Sequence, residues 1–176
     1  MEYVLVGCRF LIGVVFLVSA AGKIRGRDAY AAFRRAAGEL APRVPPRLRS
    51  LVSSAVVAGE LAAVVLLAVP ATVAAGFALA VVLLAAFTAA IVAAVRARRQ
   101  VACNCFGTSS APVGPAQIIR NTALLTASLA GVVLAAGGTP AALEPAGVVA
   151  AVVAALTGAG LVLLTDDVAE LFRPLT

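Results

Sequence analysis

Histidine is absent from this chain of 176 residues, and only 12 % of its residues are charged. Without imidazole there is no histidine ligand for a metal or haem and no histidine general base near neutral pH, which excludes most enzyme mechanisms. The scarcity of charge is matched by 62 % hydrophobic residues and a mean hydropathy of +1.07, against roughly 45–50 % apolar and 25 % charged residues in soluble domains. This is the composition of an integral membrane protein. The formal net charge of +6 would suggest nucleic acid in a soluble protein. Here the basic residues lie in short loops beside apolar stretches, where membrane topology and lipid headgroups account for them, and no nucleic-acid partner is expected.

Five apolar stretches, about 3–21, 51–69, 71–95, 117–137 and 146–165, are each long enough to cross a hydrocarbon core of ~30 Å at ~1.5 Å per residue. A cleaved signal peptide does not explain them, since they run the length of the chain and the first lacks a basic start. Pro70, inside "AVPATV", cannot continue a helix without losing a hydrogen bond, so the second and third stretches form a tight helical hairpin. The spans are rich in Ala, Gly and Val, which lets helix backbones approach closely. The expected fold is all-α: residues 1–176 form one polytopic bundle, a four-helix core plus a fifth C-terminal span.

The loop 22–50 carries eight Lys/Arg and two acids. Within it Tyr30, Phe33, Ala37 and Leu40 recur at helical spacing while Arg34, Arg35 and Glu39 take other faces. Residues 28–40 are therefore expected to lie on the bilayer surface as an amphipathic helix. With five spans, this loop and the cysteine loop 96–116 share one side and hold nearly all the loop cations. The positive-inside rule places that side in the cytoplasm.

The chain has three cysteines. Cys8, inside the first span, reads as a small hydrophobe. Cys103 and Cys105 stand one residue apart in the polar stretch "VACNCFGTSS", between Arg96, Arg98 and Arg99 on one side and Arg120 on the other. Nearby cations favour thiolate, which is the nucleophile of disulfide exchange and the ligand of soft metals. A disulfide closed across one residue is a restricted ring and should be readily reduced, as suits a catalytic bridge. Asn104 tolerates the turn between them, and Gly107 lets the chain turn back. Two close thiolates would also suit a linear soft-metal site of the Cu(I) or Hg(II) type, whereas a closed zinc site needs four ligands that this chain does not readily supply.

Arg9 and Glu60 are the charges placed well inside apolar spans, where ionisable groups are expensive unless paired. They lie ~9 Å and ~15 Å from the same end of adjacent antiparallel helices, a gap that a long Arg side chain can bridge, and an Arg9–Glu60 pair is expected. Lys23 and the Arg120-Asn121 step mark helix ends near the loop side and read as rim positions. Ser53, Ser54, Thr88, Thr126 and Ser128 read as donors to helix backbone.

"CRFLIGVVFLVSAAGKI" in the first span, "GEL" around Glu60, "CNCFG" before the fourth span and "RN" at 120–121 together resemble the methylamine utilisation protein E (MauE) branch of the DoxX-like membrane proteins. The resemblance runs from about residue 7 to residue 137. It implies a redox-associated membrane protein, a thiol–disulfide oxidoreductase component that supports disulfide formation or thiol delivery with a thioredoxin-like partner. By position, Cys103 and Cys105 would be the redox pair, Phe106 and Gly107 would shape their turn, and Arg120-Asn121 would support it. The layout is also similar to that of vitamin K epoxide reductases, which pass electrons between a quinone and protein thiols. This chain differs in having no second cysteine pair in the 22–50 loop, so an external protein would supply the missing thiols. Both resemblances imply an extracytoplasmic cysteine loop, opposite to the charge rule. The other classes open to the residues are a soft-metal binder or transporter and a non-enzymatic assembly partner.

Overall fold

The computed structural model describes residues 1–42, 44–98, 115–137 and 144–171, with side chains to residue 164. The described residues form helices and no strands: α1 (Glu2–Ile24), α2 (Arg27–Leu40), α3 (Pro46–Ala68), a 3-10 turn (Pro70–Thr72), α4 (Val73–Arg96), α5 (Pro115–Gly137) and α6 (Pro145–Leu171). Five helices are long and apolar enough to cross a membrane, over Glu2–Ile24, Pro46–Ala68, Pro70–Arg96, Pro115–Gly137 and Pro145–Leu164. The chain is a multi-pass membrane protein.

Proline opens α3, the turn before α4, α5 and α6. In the first helical position its fixed φ suits the helix, and its missing N–H would have had no partner there anyway. Thr72 closes the hairpin after α3, its hydroxyl donating to the Leu66 carbonyl at 2.8 Å.

α1, α3, α4 and α5 form a ring of neighbouring helices, and α6 lies outside it against α1. The core between them holds Ile12, Val15, Phe16, Leu67, Phe77, Ala80, Leu84 and Leu124. Seams are lined by small residues while Val65, Val82, Val133 and Leu161 point outward, the arrangement expected where lipid gives no hydrophobic drive for helix association. At Gly76 α4 comes close to the α3 backbone, where an added Cβ would lie 2.9 Å from the Leu67 backbone nitrogen. Ser53, Ser54, Thr88, Thr126 and Ser128 all donate to the carbonyl four residues earlier.

α2 is the surface helix, one residue longer at its start than the periodicity predicts. It packs on α1, α3 and α4 at the end of the bundle. Phe33 and Ala36 are buried, and Arg34, Arg35 and Glu39 are exposed.

Candidate functional site

Ser19 and Lys23 stand four residues apart in the last turns of α1 and so share one helix face. Opposite them, α3 presents Glu60. The Lys23 ammonium donates to Glu60 Oε1 at 2.7 Å, to Oε2 at 2.9 Å and to Ser19 Oγ at 2.6 Å, and Ser19 Oγ donates to Glu60 Oε1 at 3.0 Å. Lys23 and Glu60 are each 1 % exposed. All three ammonium protons therefore have acceptors, which is what makes a buried cation tolerable. Two rings complete the enclosure: Lys23 Nζ is 5.0 Å from the centroid of Phe33 on α2 and 5.9 Å from that of Phe87 on α4. Both distances allow cation–π attraction. Lys23 thus ties the end of α1 to α2, α3 and α4.

Beside the ion pair lies a small cavity, about 20 Å³ for the centre of a water molecule, lined by Ser19, Lys23 and Glu60 and, from α5, by Arg120, Asn121 and Leu124. That space suffices for one water. Gln117, Arg120 and Asn121 are all buried within the first two turns of α5. The cluster therefore sits at the end of the bundle where α1 and α4 finish and α5 begins.

Segment 99–114 joins α4 to α5 at that same end. Cys103, Asn104, Cys105, Phe106 and Gly107 belong to it and lie outside the described residues, as does Arg99. At the α4 side the chain leaves the helix through Arg98, whose φ of 51° is left-handed, with the Arg98 amide donating to the Val95 carbonyl at 3.0 Å. Such a left-handed residue is a common helix terminator. Cys8 is half-buried in α1 and packs against the apolar core.

The structure corrects the expected Arg9–Glu60 pair. Glu60 is engaged by Lys23, while Arg9 donates through Nε to the Leu67 carbonyl and through Nη2 to the Ala68 carbonyl at 2.6 Å. The reason is directional: side chains on an α-helix lean toward its N-terminus. α1 starts at the Pro70 end and α3 starts at the loop end, so Glu60 leans toward the loop end and Lys23 leans back to meet it. Arg9 leans away from Glu60, toward the last carbonyls of α3, which have no partner within their own helix. Lys23 is accordingly an interior residue and not a rim residue. Arg120 and Asn121 are likewise inside the bundle. Sequence reasoning missed Ser19, Gln117 and Phe87 and read Phe33 only as part of the apolar face of α2; the Ser19–Lys23 spacing was the one signal available.

A family model described as methylamine utilisation protein MauE matches residues 1–136, which takes in α1 to α5 but not α6. The match does not speak for the wider DoxX group or for vitamin K epoxide reductases. Searches of curated proteins and of solved structures give no match.

Proposed function

Since the chain belongs to the methylamine utilisation protein MauE family, we propose that it acts from the membrane in the maturation of methylamine dehydrogenase, by thiol–disulfide exchange between Cys103/Cys105 and a thioredoxin-like protein. A thiolate of the pair attacks the partner's disulfide, releasing one partner thiolate and forming a mixed disulfide. The second cysteine then attacks the mixed disulfide, which leaves the partner as a dithiol and the pair as a disulfide. The reverse sequence oxidises a partner dithiol. A disulfide closed across one residue favours that delivering direction.

What carries this reading is the placement of the buried polar cluster. Lys23, Glu60, Arg120 and Asn121 line one cavity at the end of the bundle to which segment 99–114 is tied on both sides. Arg96 and Arg98 stand at the α4 anchor, where positive charge favours thiolate in the loop that follows.

The test uses a Cys8→Ser background, so that the loop cysteines are the only thiols of the chain. Cys103→Ser and Cys105→Ser, one at a time, should each block one half of the exchange. One of them should accumulate a mixed disulfide with the partner, seen as a slow band on non-reducing gels that collapses with reductant. If the double serine variant leaves the partner's oxidation state in cells unchanged, the proposal fails. Labelling intact cells with a membrane-impermeant thiol reagent then reads the side of the loop. Reaction without permeabilisation puts it outside, as the resemblance implies, and reaction only after permeabilisation puts it in the cytoplasm, as the loop charges imply.

A further inference from the structure

Arg34, Arg35 and Glu39 on the outer face of α2, with Pro46, Arg49 and Ser50 in the first turns of α3, line an open cleft of about 360 Å³. Three guanidinium groups face one carboxylate there. Among the described residues, Glu39 forms no ion pair with any of the three arginines, so the cleft keeps a positive surplus. This differs from the Lys23–Glu60 cluster, whose charges satisfy each other, and from the groove beside Arg9, whose guanidinium is spent on the α3 carbonyls.

Arg49 is held in place. A Cβ added to Gly38 would lie 3.2 Å from Arg49 Cδ and 3.4 Å from Nη1, so the arginine stem lies directly over this glycine and a methyl there would shift it by a few tenths of an ångström. Its Nε donates to the Val44 carbonyl at 3.4 Å. Gly38 itself is buried. A planar guanidinium fixed in this way offers its remaining N–H groups in the fork that matches phosphate oxygens.

Position selects the kind of phosphate. α2 links the ends of two membrane-spanning helices, α1 and α3, and so lies at headgroup level. On α3, Val52 follows Arg49 by three residues on the same face and is 39 % exposed. An anionic group held by Arg49 thus has apolar surface three residues, about one turn, further along the same helix, toward the hydrocarbon core. We propose that this cleft is a binding site for the phosphate of an anionic phospholipid, held by Arg34, Arg35 and Arg49, with the acyl chains running past Val52 toward the hydrocarbon core.

The test titrates the full-length protein in neutral detergent with phosphatidylglycerol, phosphatidylcholine or inorganic phosphate, reading bound lipid by native mass spectrometry and the unfolding midpoint by ellipticity. Phosphatidylglycerol should be retained and should raise the midpoint, and phosphatidylcholine should do neither. Each of Arg34→Gln and Arg49→Gln should weaken phosphatidylglycerol about fivefold, the effect of one arginine near a charged membrane surface. Arg27→Gln, at the start of α2 and outside the cleft, should leave binding as it is. Because Arg34 is exposed, its variant folds even where Arg49→Gln does not. If Arg27→Gln costs as much as Arg34→Gln, binding is diffuse attraction and the site is overturned. If inorganic phosphate alone raises the midpoint as far as phosphatidylglycerol does, the ligand is a soluble anion and the lipid assignment is overturned.

Discussion

Removal of Lys23 gives the most demanding test of the interior. Lys23→Met keeps the length of the stem but deletes the ammonium, and Glu60 is left 1 % exposed with, among the described residues, the donor Ser19 Oγ at 3.0 Å. Breaking a buried pair from one side costs about 3–5 kcal/mol, because the surviving charge stays desolvated and uncompensated. Glu60→Leu strands the ammonium and should cost a similar amount. Replacing both residues with apolar ones removes two desolvation penalties together with their mutual attraction, and such replacements are often neutral or stabilising. Lys23→Met/Glu60→Leu should therefore lie within about 1 kcal/mol of the natural chain or above it, although the two single effects sum to about 6–10 kcal/mol. The chain has no Trp, so unfolding in mixed micelles is best followed by far-UV ellipticity. Additive single effects, or a Lys23→Met variant within about 1 kcal/mol of the natural chain, would refute the coupling. The same double variant separates clasp from function: restored stability with lost partner oxidation assigns the pair a part in the exchange beyond packing.

Two further predictions concern packing and the far end of the bundle. An added methyl at Gly131 would lie 2.4 Å from the buried Phe77 ring, and one at Gly76 would lie 2.9 Å from the Leu67 backbone nitrogen. Gly76→Ala and Gly131→Ala should each destabilise by about 1–3 kcal/mol, whereas Gly13→Ala, with nothing within 4 Å of its Cβ, should be neutral or slightly stabilising by the same ellipticity measurement. Arg9→Gln removes the guanidinium that donates to both the Leu67 and Ala68 carbonyls and should cost about 1.5–3 kcal/mol, the range for a hydrogen bond to a charged group. No loss on Arg9→Gln would show that those carbonyls find other donors.

The spans were legible in the sequence because the bilayer imposes a length and an apolar composition on any helix that crosses it, and α1, α3, α4, α5 and α6 meet both demands. The surface helix was legible because Tyr30, Phe33, Ala37 and Leu40 recur at helical spacing while Arg34, Arg35 and Glu39 take other faces; the residues of α2 that the structure buries are Phe33, Ala36 and Gly38. Depth arithmetic located Arg9 and Glu60 in the interior but chose the wrong partners, since it treats a residue as a point at its Cα height. In an antiparallel pair of helices the side chains lean in opposite directions, and that lean sent Glu60 to Lys23 and Arg9 to the end of α3. Arg120 and Asn121 read as helix-end residues because they lie within two turns of Pro115, yet α1 and α4 pack against α5 and bury them. Hydropathy and periodicity are properties of one segment at a time, so the sequence by itself determined which segments cross the membrane and which faces are polar. Which charges meet across the bundle depends on the relative height, rotation and direction of several helices at once, and only the tertiary structure decided that.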